Sequence, residues 1–253
     1  MYKVNNKIND LIKRGALFVI NHSGGKDSQA MMIKITKLVP KEQILVIHAD
    51  LPGADWPGTW DHVQATCRGY ETVQVVAVKT LFEMARKRGM WPSPKYRQCT
   101  SDLKRGPIEK AIRHYIKNND LSGLVVNCMG IRSEESYSRA NAAEFKFNKR
   151  NSKAGREWYD WLPIKDWTTN RVFAEIKSNG QEPHWAYAAG MERLSCCFCI
   201  MASEKDLKTA ARLVPNIYRE FVKVEKEINF SFVMPKKGEA PRFLDEITGV
   251  SID

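Results

Sequence analysis

The chain has 253 residues, enough for one α/β domain with a smaller appendage. Hydrophobic residues make up 43%, an ordinary globular share, and no apolar run is long enough to be a membrane-spanning helix. Forty basic against 29 acidic residues leave a formal charge of +11, which favours a polyanionic partner such as DNA or RNA.

The opening Met1-Tyr2-Lys3-Val4-Asn5-Asn6 lacks the apolar region of a signal peptide, so the expected setting is the cytoplasm. Ile8, Leu11 and Ile12 have helical spacing and predict a helix from Asn5 to Arg14. Ala16 to Asn21 reads as a buried strand. It breaks into Ser23-Gly24-Gly25-Lys26-Asp27-Ser28, and Ser28 to Leu38 reads as helix. Such a junction suits phosphate. Paired glycines allow φ > 0 and close approach, successive N–H groups form an anion nest, and the helix points its positive end at the same spot. Lys26 adds a cation, and Ser23 and Ser28 add hydroxyls. Asp27 would repel a phosphate. It must cap the helix, pair with a lysine or bind through Mg²⁺, and Mg²⁺ dependence is the expectation.

Ile44 to Asp50 is a second apolar run ending in a carboxylate before a Pro-Gly loop. Thr59 to Tyr70 and Leu81 to Arg88 read as helices, and Thr72 to Val78 as a third strand. Two prolines make residues 90–98 a loop, closed by Cys99. Cys99 precedes a helix whose N-terminus would stabilise a thiolate. Pro107 to Lys117 is a helix, and Leu121 to Met129 a fourth strand running into Gly130-Ile131-Arg132-Ser133-Glu134-Glu135-Ser136. Alternating strands and helices predict a doubly wound parallel sheet with ligands at the strands' carboxyl ends.

After residue 143 the character changes. Lys146, Lys149, Arg150, Lys153 and Arg156 interleave with Phe145, Phe147, Trp158, Tyr159 and Trp161. This stretch either tracks a nucleic acid or packs a second lobe. Helices follow at Thr168–178, Ser203–213 and Asn216–228, the second opening on a capping-box-like Ser203…Asp206. The expected division is a nucleotide domain over 1–143 and a smaller, mainly helical lobe over 144–253. Cys196-Cys197-Phe198-Cys199 holds a Cys-x-x-Cys. A zinc site would need more ligands, with His184 and Cys99 available, and an iron–sulfur cluster is the alternative. Cys67 and Cys128 read as core.

The six-residue loop does not fit the Walker or dinucleotide patterns. It resembles the PP-loop of ATP pyrophosphatases, a family that includes phosphoadenylyl-sulfate (PAPS) reductases, tRNA thiolation enzymes and the sulfur-inserting ATPases of DNA phosphorothioation. The resemblance implies an adenine nucleotide alpha hydrolase-like fold and ATP cleaved between its α and β phosphates. It implies nucleotide contacts from Ser23, Gly24, Gly25, Lys26, Asp27 and Ser28, with Asp50 at the ribose or adenine. Gly130 and Arg132, followed by Glu-Ser and Arg139, resemble the family's second nucleotide motif, which makes Lys26, Asp27 and Arg132 the expected catalytic residues.

Phage and defence-island members of the PAPS reductase-like group carry Arg-x-Cys-Thr…Leu-Lys in mid-chain and Pro-x-x-x-Tyr-x-x-Gly-x-x-Arg-x-Ser-Cys-x-x-Cys later. Arg97, Cys99, Thr100, Leu103 and Lys104 match the first; Pro183, Tyr187, Gly190, Arg193, Ser195, Cys196 and Cys199 match the second. The resemblance implies a [4Fe–4S] cluster on Cys99, Cys196 and Cys199, with Cys197 as an alternative fourth ligand. The implied function is adenylylation followed by sulfur insertion, closest to DNA phosphorothioation of Dnd or Ssp type and fed by a cysteine desulfurase. The alternatives are tRNA thiolation, PAPS or adenylyl-sulfate reduction, and a non-enzymatic ATP- and cluster-binding subunit on DNA. The reductases use a C-terminal Glu-Cys-Gly-Leu-His nucleophile, and this sequence has no cysteine after Cys199.

Overall fold

In the computed structural model of the protein, residues 6–235 and 237–251 are described. Asn5 and the residues before it, on which the leader expectation rests, lie outside the described residues. The chain runs through α1 (Asn6–Lys13), β1 (Leu17–Asn21), α2 (Lys26–Thr36), β2 (Ile44–Asp50), α3 (Thr59–Thr66) and β3 (Glu71–Val76). Next come α4 (Leu81–Arg88), α5 (Gln98–Thr100), α6 (Gly106–Asn118), β4 (Leu124–Cys128), α7 (Tyr137–Ala140), β5 (Phe145–Phe147) and β6 (Glu157–Trp161). The helices α8 (Thr169–Ser178), α9 (Trp185–Ala188), α10 (Glu204–Leu213), α11 (Pro215–Ile228) and α12 (Leu244–Thr248) complete it. Among the described residues no helix is long and apolar enough to cross a membrane.

Six strands form one sheet in the order β3-β2-β1-β4-β6-β5. β1 runs parallel to β2 and β4, and β4 parallel to β6; β5, on the edge, pairs antiparallel with β6. Continuous apolar runs explain the parallel strands, because both faces are covered. On one face Phe18, Ile20, Val46, Val126 and Trp161 pack under α1, α2, α3 and α8. On the other, Val19, Leu45, Val125 and Trp158 pack with Ile112 and Ile116 of α6. This is an α/β fold. Its strand order reverses at β1, whose two neighbours are β2 and β4, and ligands of such sheets bind beyond the strand ends at that reversal.

The chain divides into two compact units that interleave in sequence. The first takes the chain to His48, then Trp60–Val75 and Ile108–His184; the second takes Ala49–Thr59, Val76–Pro107 and the chain from Trp185. The expected boundary at 143/144 is corrected. Residues 145–161 are two further strands of the same sheet, with Trp158 and Asp160 turned into it in period-2 alternation. The change in composition there marks the sheet's outer edge rather than a new lobe.

The second unit is mainly helical. Its core stacks Trp91 on Phe221 at 5.5 Å, with Phe82 and Phe198 each 4.9 Å from Phe221. Ser203 caps α10 by accepting from Asp206 N–H at 3.1 Å, as its spacing predicts. Buried Glu225 ties three segments together, accepting from Phe232 N–H at 2.5 Å and Leu244 N–H at 2.7 Å. Burial raises its carboxyl to about 7, although these two bonds oppose the rise.

Candidate functional site

The glycine loop leaves the end of β1, and α2 begins at Lys26, two residues earlier than the sequence spacing suggests. Lys26 and Asp27 therefore sit in the helix's first turn. Gly25 is the N-cap and supplies no side chain, so the first N–H groups of α2 are not capped by the residue before them. Gly24 has φ +79, a conformation that costs an L-residue about 1 kcal/mol or more. Ser28 Oγ folds back to accept from Ser23 N–H at 3.1 Å and donates to Gly25 O at 2.8 Å. The loop is thus closed on itself by the two serines expected to touch phosphate.

A second motif reaches the same place from the neighbouring strand. Gly130 follows β4, and a Cβ there would stand 3.0 Å from the carbonyl carbon and oxygen of Asp27. Glycine at 130 is required by backbone approach to the loop. Arg132 is 3% exposed and heavily committed. Its Nε donates to Asp27 Oδ1 at 2.6 Å, Nη1 to Glu134 Oε2 at 2.6 Å and to Trp167 O at 3.1 Å, and Nη2 to Thr169 Oγ1 at 3.1 Å. Burial alone would lower this guanidinium's pKa, but Asp27 and Glu134 outweigh it and raise it. Arg132 thus braces Asp27 from the α8 side.

The same bond resolves the charge conflict at Asp27. Its second oxygen lies 3.2 Å from Lys26 Nζ, so both oxygens face cations. The repulsion that motivated an Mg²⁺ bridge is already neutralised by side chains. Asp50 is where expected, the last residue of β2 and half-buried.

Histidines were not expected here. His22, directly before the loop and 1% exposed, accepts from Gly24 N–H through Nδ1 at 3.1 Å. Its own N–H donates to Ile47 O at 2.9 Å, and its carbonyl accepts from His48 Nδ1 at 2.8 Å. Burial, with His62 and His48 adding to it, pushes His22 down to about 3 and keeps the Nδ1 acceptor unprotonated. His184 pairs with His62, ring centres 5.2 Å apart, and burial followed by His62 brings it down to about 4. His184 belongs to the first unit and the cysteine cluster to the second. The legible signal was a histidine inside, or just after, an otherwise apolar strand.

In the second unit Cys99, Cys196 and Cys199 are half-buried, while Cys197 is 1% exposed in the apolar core with its N–H donating to Ala54 O at 2.8 Å. Cys99 lies within α5 rather than ahead of a helix, and burial, reinforced by Cys199, raises its thiol pKa. Burial likewise pushes Cys196 up to about 12, opposed by Lys104. Lys104 Nζ lies 3.6 Å from Cys196 Sγ. Burial acts to lower this ammonium, but Cys196, Asp55, Cys199 and Cys99 together raise it. A three-thiol donor set around one cation fits an iron–sulfur cluster, and one that leaves Cys197 out.

Residues 18–202 match the phosphoadenosine phosphosulfate reductase domain. The chain belongs to that family. An uncharacterised protein of Methanocaldococcus jannaschii is 24% identical over 211 residues, which is 83% of this chain and 41% of that protein. The chain thus spans about two fifths of that relative's length. Among solved structures, the phosphoadenylyl-sulfate reductase of Candida auris in a phosphate complex superposes with a TM-score of 0.47 at 15% identity, covering 77% of this chain and 97% of that one. The U34-tRNA thiolase NcsA of Methanococcus maripaludis, solved with its [4Fe–4S] cluster, gives 0.44 at 12% identity over 96% and 87%.

Proposed function

We propose that this chain is an ATP pyrophosphatase that adenylylates an oxygen of its substrate, which then exchanges AMP for sulfur. The observation that carries this reading is the placement of Gly24, Lys26 and the Arg132-braced Asp27 together at the strand-order reversal. In the first step the substrate oxygen attacks the α-phosphorus of ATP and the bond to the bridging oxygen breaks. Pyrophosphate leaves with the electron pair. Lys26 and the first N–H groups of α2 oppose the charge that gathers on that leaving group. Asp27, held between Arg132 and Lys26, fixes the direction of the lysine. Magnesium, on this reading, enters with the nucleotide phosphates rather than being held by Asp27.

In the second step sulfur attacks the activated centre and AMP departs. Cys99, Cys196 and Cys199 would hold a [4Fe–4S] cluster, which when bound supplies a carrier for sulfur. Lys104 opposes the negative charge of their thiolates. The proposed acceptor is a nucleic acid, with DNA phosphorothioation as the specific reaction and tRNA thiolation as its nearest chemical neighbour. The proposed sulfur source is a cysteine desulfurase, whose persulfide sulfur a two-electron thiol reductant converts to the sulfide that attacks.

Reduction of phosphoadenylyl sulfate is a second reading, favoured by the family's namesake. The two separate cleanly. Anaerobically purified protein is incubated with ATP, with and without nucleic acid, or with phosphoadenylyl sulfate and thioredoxin. Pyrophosphate and AMP from ATP, abolished in Lys26→Ala, support the first. Sulfite from phosphoadenylyl sulfate without pyrophosphate release supports the second.

A further inference from the structure

The outer edge of the sheet carries a groove far from the glycine loop. It has a volume of about 600 Å³ and is open to solvent, lined by Lys7, Arg14, Phe145, Lys146, Phe147 and Tyr159 among others. The register explains it. Phe147 faces Tyr159 and Phe145 faces Trp161 across the β5–β6 pair, so all four rings lie on one face of the sheet. That is the face α1 covers with Ile8 and Leu11. But α1 is eight residues long. Trp161 is buried, and the three outer rings stay partly open beside the helix.

These rings form a continuous platform. Phe145 stacks on Tyr159 with centres 5.0 Å apart and planes 20° from parallel, and Phe147 meets Tyr159 edge-on at 5.6 Å. Phe147 is 53% exposed, on a strand edge where a large apolar side chain is a hazard unless something uses it. Cations rim the platform on two sides. Lys7 lies on α1, Arg14 just past its end and seven residues on, and Lys146 stands on β5. Exposed Lys149, Arg150 and Lys153 continue the charge along the β5–β6 connection. The acids present are Asp10 and Glu157, which pair with Arg14 at 3.5 and 2.5 Å, and Asp160, 3.7 Å from Lys146; Arg150 pairs with Glu109. Asp10 is the acid in the lining itself, against three cations.

We propose that this groove binds a single-stranded nucleic acid, stacking one unpaired base on the Phe145–Tyr159–Phe147 platform while Lys7, Arg14 and Lys146 face its phosphates. Aromatic faces interleaved with cations are the arrangement that single strands require, since stacking needs an unpaired base and accepts any sequence. A protein partner would use the rings without needing the basic rim, and a duplex offers no free base face. Arg14 precedes β1 and the glycine loop follows it, so about 16 Å of strand separates this contact from the loop. It would hold flanking nucleic acid rather than the reacting group. Binding here does not depend on the chemistry proposed at the loop.

The test is fluorescence anisotropy with labelled single-stranded DNA and single-stranded RNA of one sequence, without ATP. The proteins are the wild type, Phe147→Ala and a Lys7→Glu/Lys146→Glu double variant. Wild type is expected to bind at least one of the two strands better than the matching duplex, and which one identifies the source. Phe147→Ala should weaken binding roughly tenfold with little change in its salt dependence. The double variant should weaken it and flatten the dependence on salt. Thermal melting checks that the variants are folded. Affinities within twofold of wild type in both variants would overturn the assignment, as would absence of single-strand binding by the wild type. So would a wild-type dimer that Phe147→Ala converts to monomer while oligonucleotide affinity is unchanged.

Discussion

Arg132 Nε lies 2.6 Å from Asp27 Oδ1, joining the turn after β4 to the first turn of α2. Four of this buried guanidinium's five N–H donors are spent on protein acceptors, and the fold places them before any nucleotide arrives. Arg132→Lys keeps the charge and loses the fork. It should destabilise the protein by roughly 2–4 kcal/mol, because the half-buried Asp27 carboxylate loses the guanidinium that braces it. A lowered midpoint in urea denaturation checks this. A midpoint equal to wild type would make the brace dispensable.

Gly130→Ala tests the close approach. The added Cβ meets backbone rather than a flexible side chain, 3.0 Å from Asp27 C and O and 3.1 Å from Ser28 N. The loop has to move. Stability should fall by about 1–3 kcal/mol. Nucleotide affinity, measured by calorimetry with ATP, should fall more than at any other strand-end glycine.

Three buried groups, two histidines and a glutamate, give opposite pH trends. His22 and His184 have pKa values depressed to about 3 and about 4, so the native state resists their protonation. Their contribution is fully present above pH 6.5 and is lost as pH falls toward those values. Glu225 is raised to about 7 from 4.5, so the native state keeps its proton longer than the unfolded chain does. That contribution is complete below pH 4.5 and disappears as pH rises through 7, amounting to roughly 3 kcal/mol. Urea denaturation of wild type and Glu225→Gln from pH 4.5 to 8 checks the sign. The variant should lose the decline between pH 4.5 and 7.

The doubly wound sheet was legible in the sequence because its strands are unbroken apolar runs separated by helical spacing. Asp50 and the Gly130–Arg132 turn fell at strand ends as expected. The outer strands were not legible. Phe145 to Trp161 alternates aromatic with charged residues, a pattern shared by an edge strand and a nucleic-acid-binding stretch, and pairing with β4 is a long-range fact. Arg132's protein partners were not legible for a similar reason. A guanidinium near a phosphate loop looks like a phosphate ligand until its acceptors Asp27, Glu134 and Thr169 are known. His22 and Lys104 passed unnoticed because a single buried polar residue has no periodicity to announce it.

Lys104→Met should impair assembly at the cysteines. The thiols of Cys99 and Cys196 are raised by burial, and Lys104 is the cation that opposes this. Metal ligation needs deprotonated sulfur. Iron per protein after anaerobic reconstitution should drop by roughly half or more at pH 7 and recover at higher pH. Iron content equal to wild type at both pH values would remove Lys104 from the account.

The central claim is ATP cleavage at the α-phosphorus by the Lys26–Asp27–Arg132 constellation. The most direct measurement follows α-labelled ATP with anaerobically purified protein and nucleic acid, separating AMP from ADP while quantifying pyrophosphate. AMP and pyrophosphate in equal amounts, lost in Lys26→Ala, is the expected result. ADP with inorganic phosphate, or equal AMP formation by the Lys26→Ala protein, would contradict it.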